Sequence, residues 1–260
     1  RISWLGGIIY FLFILGMMGI GTWECWRLLK TLGYDVSFPL MLVGVELLLI
    51  LRQVSGFTAT EWALLAILLG SAIFSLVRYS KIEAQAVLTF GLHVSGILYM
   101  GWLGGYFLSL AALPKGNWWV MVTLALVWMA DLGGYIFGTK WGKHKMSLRL
   151  SPRKTWEGYL GGVIFAVLSG LILSLALRLV LPELALWEGA VMGLVIAWLT
   201  PFGDLFISML KRAAGVKDSG KLIPGHGGIL DRADTWLWAM MIGYYLVSFS
   251  LEFNYSIRNI

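Results

Sequence analysis

A single cysteine, Cys25, stands in 260 residues, so neither an intrachain disulfide nor a thiolate metal cluster can be built. Charge is scarce as well: 13% of the residues are Asp, Glu, Lys or Arg, against roughly 25% in ordinary globular chains. With 59% hydrophobic residues and a mean hydropathy of +0.80, that scarcity excludes a water-soluble enzyme of normal surface. It also excludes a disordered chain and a small disulfide scaffold. There is no internal repeat, no low-complexity tract, no Gly-x-x-x-x-Gly-Lys-Ser/Thr phosphate loop and no protein-kinase motif set. What is present in abundance is apolar sequence, 14 Trp and 32 Gly, the composition of an integral membrane protein.

A membrane-crossing helix needs about 20 mostly apolar residues. Stretches of that kind lie at 4–22, 38–51, 61–77, 118–137, 159–181, 187–202 and 236–253. The run 84–113 is long for one helix, and Gly101, Gly104 and Gly105 could divide it, so the sequence predicts eight or nine spans in an all-α, polytopic fold. The first run shows no small-residue cleavage site and many spans follow it, which reads as a transmembrane helix rather than a signal peptide.

Net charge is +6, and its distribution matters more than its size. Lys140, Lys143, Lys145, Arg149, Arg153 and Lys154 crowd residues 138–158, and Lys211, Arg212, Lys217, Lys221 and Arg232 crowd 203–235. These two connections hold 11 of the 20 basic residues, whereas the turn between them carries only Glu183 and Glu188. Basic loops stay on the cytoplasmic side, so both are expected to face the cytoplasm. The excess is read as orientation rather than as a nucleic-acid footprint. Polar content rises after Asp131, which divides the chain into N-terminal scaffold helices, 1–117, and a catalytic membrane region, 118–260, containing the loops 138–158 and 203–235.

The densest polar segment runs from Ser208 to Asp234. Gly227 and Gly228 within Pro-Gly-His-Gly-Gly can take positive φ, so their amides could converge on an anion, or simply form a turn. Asp231 and Asp234 stand three apart at the start of the last span, on one helical face, where two carboxylates can hold a hard divalent cation or cap the helix. Asp204 and Asp131 lie near the ends of apolar runs, where an acid is costly and marks function unless it reaches interfacial water. Glu46 and His93 are read as helix-contact residues, and Arg178 as close enough to a helix end to snorkel. Ser151 followed by Pro152 resembles an N-cap with proline at the first helical position, and Lys143, Arg153 and Lys154 beside it could grip phosphate or merely set topology. Acids for a metal, bases and a glycine turn for polyphosphate, and a bilayer around them suit phosphoryl transfer to a lipid.

Ser208, Lys211, Arg212, Lys217, Asp218, Pro224, His226, Gly227, Gly228, Asp231, Arg232 and Asp234 resemble, in type and spacing, the signature of the phosphatidate cytidylyltransferases, the CDP-diacylglycerol synthases. Ala233 is smaller than the bulky apolar residue usual there. The stretches from Asp131 to Lys143, from Ser151 to Gly158, and Gly203-Asp204 are similar too. The resemblance implies conversion of CTP and phosphatidic acid to CDP-diacylglycerol and pyrophosphate, with Mg²⁺ required and a second, monovalent cation left open. It implies a homodimer in the bilayer, in a bacterial inner membrane, with a polar cavity open to the cytoplasm. By the same resemblance Asp204, Asp231, Lys211, Arg212 and His226 are the expected catalytic residues, His226 as a hydrogen-bond donor or loop organiser. Lys140, Lys143, Ser151, Lys154, Lys217, Gly227, Gly228 and Arg232 are expected to bind substrate. Asp204 and Asp231 are expected to hold metal, with Asp234 and Asp131 as further candidates. Two other classes fit the residues less fully: another metal-dependent lipid-phosphate transferase, which should not share the whole 208–234 spacing, and a transporter, which should distribute its acids along a path across the bilayer.

Overall fold

The structure, a computed structural model, describes residues 4–182, 184–222 and 227–258. Its helices are α1 (Trp4–Thr31), α2 (Phe38–Ser55), α3 (Thr60–Ile82), α4 (Ala86–Ile97), α5 (Leu103–Ala112), α6 (Gly116–Trp141), α7 (Trp156–Ala176), α8 (Leu186–Leu199), α9 (Pro201–Ala213) and α10 (Leu230–Arg258). The only described strands, β1 (Lys145–Ser147) and β2 (Ser151–Thr155), form an antiparallel hairpin with Lys145 opposite Thr155 and Ser147 opposite Ser151. The all-α membrane class holds: among the described residues seven helical stretches are long and apolar enough to cross a bilayer. Helix α10, which contains the expected span 236–253, is outside the seven; the indole and phenol groups of Trp236, Trp238, Tyr244 and Tyr245 and the charges of its first turn lower its mean hydropathy.

The run 84–113 is not broken at its glycines. A π-helical turn, Leu98–Trp102, joins α4 to α5 into one 27-residue stretch, Ala86–Ala112. The glycines that looked like breakers are packing surfaces. A Cβ on Gly101 would lie 3.0 Å from Val45 Cα, and one on Gly104 would lie 2.7 Å from Met18 Sδ, so small residues let helices approach where lipid supplies no hydrophobic drive.

Two further expectations change. The connection expected at 203–235 is helical as far as Ala213, because Pro201–Ala213 is amphipathic: hydropathy falls there while helical periodicity persists. Ser151 and Pro152 do not cap a helix; they open β2, and Thr155 caps α7, its Oγ1 accepting a 3.2 Å hydrogen bond from the Gly158 amide. Ser151-Pro152 suited the extended backbone that proline imposes on its predecessor equally well.

The chain packs as two compact units. One comprises Leu110–Met209 with the chain from Asp234 onward; the other comprises the helices up to Ser109 with Leu210–Ala233. In the first, α7 lies backbone to backbone against α8: a Cβ on Gly170 would sit 1.9 Å from the Gly189 carbonyl oxygen, and one on Gly193 would sit 2.3 Å from that of Ala166. Gly162 meets the Ala130 carbonyl of α6 in the same way, at 2.6 Å. In the second, Arg52 is buried, its guanidinium 3.7 Å from the Phe57 ring centre and 4.7 Å from that of Trp102, with Nη1 donating to Ser109 Oγ at 3.3 Å.

Candidate active site

In the second unit the signature segment closes on itself around Asp231. Lys211, near the end of α9, donates from Nζ to Asp231 Oδ1 at 2.5 Å. The other carboxylate oxygen, Oδ2, accepts from the Ser219 amide at 2.8 Å, the Ser219 hydroxyl at 2.9 Å and the Gly228 amide at 2.9 Å. Burial alone would raise the Asp231 pKa, but the Lys211 ammonium and the Gly228 and Ser219 amides outweigh it and hold the carboxyl below its ordinary value. Gly227 has a φ of 81°, the positive value expected of a glycine turn, while the Gly228 amide is engaged by Asp231.

Sequence reasoning missed Glu24. It is fully buried on α1, where Oε1 accepts from the Ile229 amide at 3.1 Å and Oε2 from the Leu230 amide at 2.8 Å and the Ser219 hydroxyl at 2.8 Å. The orphan amides at the start of α10 are thus capped from a helix about 200 residues earlier in the chain. The available signal was an acid in an apolar helix; ending the first span at 22 put Glu24 outside it, whereas α1 continues to Thr31.

In the first unit a cavity of about 220 Å³ is lined by Asp131, Tyr135, Arg153, Lys154, Thr155 and Tyr159, among others. Lys154 forms an ion pair with Asp204 Oδ2, and Ser208, one turn along α9, donates to Asp204 Oδ1 at 3.2 Å. Asp234 is buried, its Oδ1 accepting from the Thr235 amide at 2.6 Å. The hairpin is anchored by Glu157, which accepts from the Lys143 and His144 amides and meets His144 Nδ1 at 2.5 Å.

The other expected site residues are less enclosed. The side chains of Lys140, Lys143, Arg212, Lys217 and Arg232 are exposed, and Ser151 is half-buried in β2. Arg212 Nη1 donates to the Val216 carbonyl at 3.4 Å. His226 lies outside the described residues. The structure therefore brings Lys211, Gly228 and Asp231 together in one unit; in the other, Lys154 lines the cavity with Asp131 and pairs with Asp204.

Among the described residues no three His, Cys, Asp or Glu side chains gather as a ready ligand group. The donor chemistry nonetheless suits a hard cation: Asp204 already holds a positive charge, the Lys154 ammonium, and is flanked by the Ser208 hydroxyl. At Asp231, Oδ2 is held by the Ser219 and Gly228 amides and lies beside the Ser219 hydroxyl, which leaves Oδ1, beside Lys211, for a cation.

The sequence model of the cytidylyltransferase family matches residues 1–250. The chain belongs to the cytidylyltransferase family. It is similar to the phosphatidate cytidylyltransferase of Bacillus subtilis (strain 168), with 32% identity over 251 residues that cover 94% of this chain and 90% of that protein. The enzyme of the same name from Staphylococcus saprophyticus is 34% identical over 174 residues, 67% of this chain and 63% of that protein. That of Synechocystis sp. is 44% identical over 136 residues, 52% of this chain and 44% of its own length. Family membership accounts for the 208–234 spacing, and the bonds around Asp231 show what that spacing builds: residues 12 and 20 positions apart from Asp231 meet on its carboxylate.

Proposed function

We propose that this cytidylyltransferase converts CTP and phosphatidic acid to CDP-diacylglycerol and pyrophosphate. The observation that carries the reading is the Asp231 cluster, in which the signature residues Lys211 and Gly228 meet on the Asp231 carboxylate rather than being scattered over a surface. A phosphate-monoester oxygen of phosphatidic acid attacks the α-phosphorus of CTP. A new P–O bond forms, the bond from the α-phosphorus to the bridging oxygen breaks, and pyrophosphate leaves with that electron pair. The monoester has its second pKa near ~6, so it is largely ionised and needs no strong general base. The barrier is the approach of two polyanions, which cationic side chains lower.

Arg153 and Lys154 at the cavity are suited to phosphate, as are the exposed Arg212, Lys217 and Arg232 of the signature, while Lys211 is held on Asp231. Mg²⁺ is the cation this reading requires, with Asp204 and Asp131 as the carboxylates of the first unit that would hold it, and when bound it would neutralise phosphate charge. The same reading takes residues 236–253 of α10 as an eighth span, places the basic hairpin and the signature loop at the cytoplasmic face of a bacterial inner membrane, and pairs two chains as a homodimer. The division into scaffold, 1–117, and catalytic region, 118–260, belongs to it too. The decisive experiment is pyrophosphate release from CTP by the purified protein, with and without phosphatidic acid and with and without a chelator. Release that requires both the lipid and a divalent cation is the expected result; CTP turnover indifferent to the lipid would overturn the reading.

A further inference from the structure

The carboxylate of Glu24 has no part in the chemistry described above, yet it is the most completely enclosed acid of the second unit. Three donors converge on it: the amides of Ile229 and Leu230, and the hydroxyl of Ser219. Two glycines make room for it. A Cβ on Gly220 would lie 2.2 Å from Oε1, and one on Gly228 would lie 2.3 Å from both oxygens. Neither glycine has a positive φ, so it is this carboxylate, and not backbone conformation, that requires the absence of a side chain there.

Ser219 links the two acids, since its hydroxyl lies 2.8 Å from Glu24 Oε2 and 2.9 Å from Asp231 Oδ2. A hydroxyl carries one proton and donates to one acceptor at a time. The Ser219 amide is committed to Asp231, so the orientation of Ser219, and through it the seat of Asp231, is tied to the position of Glu24. An acid at this depth in an apolar helix is costly unless fully hydrogen-bonded, and here each bond is to the signature segment or to the first residues of α10.

We propose that Glu24 is a positioning residue for Ser219 and for residues 227–231: its carboxylate, carried by α1, fixes Ser219 and the start of α10 so that Asp231 and Lys211 stand in their working orientation. The link from this geometry to turnover rests on the cytidylyltransferase reading above; the geometric part does not. Glutamine is not a substitute, because its NH₂ would face donor groups in place of an acceptor.

The test uses the full chain in lipid nanodiscs. Amide hydrogen exchange is followed over residues 227–233, and kcat and KM for CTP and phosphatidic acid are measured for wild type and Glu24→Gln. Exchange at Ile229 and Leu230 should rise at least ten-fold, and kcat should fall at least ten-fold while both KM values stay within about three-fold. Unchanged exchange overturns the proposal, and so does raised exchange with normal kcat. Should the wild type show no lipid-dependent CTP turnover, the functional reading fails and exchange alone decides the positioning role. Gly228→Ala serves where Glu24→Gln does not fold. It should raise the same exchange by displacing the carboxylate, which lies 2.3 Å from the added carbon. Unchanged exchange at Ile229 and Leu230 in Gly228→Ala would equally overturn the proposal.

Discussion

Lys211 Nζ lies 2.5 Å from Asp231 Oδ1, across twenty positions of sequence, with both side chains about nine-tenths buried. A pair so enclosed differs in kind from the exposed lysines around it. The charge of Lys211 is a structural partner of the signature aspartate, whereas that of Arg212, on the next residue, is presented outward.

Removing the two bases should therefore have different consequences. Lys211→Ala leaves Asp231 without its cation, a change that typically costs about 3–5 kcal/mol when a buried pair is broken. Both lower thermal stability and near-complete loss of CTP turnover are expected. Arg212→Ala should leave the melting temperature in detergent unchanged and lower turnover alone. Equal stability of the two variants would contradict the buried-pair assignment.

Acid should loosen the same loop. The Asp231 pKa is lowered in the folded protein, so its contribution is complete above the unfolded value near ~3.9 and is lost as pH falls through the lowered folded value. Exchange protection of the Ser219 and Gly228 amides, corrected for intrinsic rates, should stay flat from about pH 8 to pH 5 and decline only below pH ~4. Decline already between pH 7 and pH 6 would point to a different group.

At Asp204 the expected outcome concerns the metal. Asp204→Asn removes the charge that now holds Lys154 and that would hold Mg²⁺, so turnover should fall by about two orders of magnitude and more Mg²⁺ should be needed for what remains. A titration of activity against Mg²⁺ decides this. A variant with the wild-type Mg²⁺ dependence would place the cation elsewhere.

The glycine contact between α7 and α8 predicts a loss of stability unconnected with chemistry. Gly170→Ala must separate two backbones that meet at 1.9 Å from the added carbon, and overpacking of this kind costs about 1–3 kcal/mol or more. Lower yield and a lower melting temperature are expected, with unchanged KM values in whatever protein folds. A melting temperature equal to wild type would mean that the helices can part freely.

Orientation can be read by labelling. Single cysteines replacing Lys145, on β1, and Lys221, in the signature segment, should resist an impermeant thiol reagent outside intact cells and react after permeabilisation. Both positions are exposed, and the native Cys25 is buried, so replacing Cys25 first gives a silent background.

The sequence by itself determined the membrane class, the helical fold and the family, because each is written in composition or in local spacing. A scarcity of charge and runs of about 20 apolar residues leave the backbone no other way to satisfy its hydrogen bonds in lipid than helices or a closed barrel, and the spacing from Ser208 to Asp234 marks the family. What it left undecided depended on contacts between distant residues. Gly101 reads alike as a breaker and as a packing surface until Val45 is seen against it. Ser151-Pro152 reads alike as a helix cap and as a strand until β1 pairs with it. Glu24 is one more acid near a helix end until Ser219, Ile229 and Leu230, some 200 residues later, close on its carboxylate. Hydropathy and periodicity are properties of neighbours along the chain, whereas the satisfaction of a buried charge is a property of neighbours in space, and only the tertiary structure supplies those.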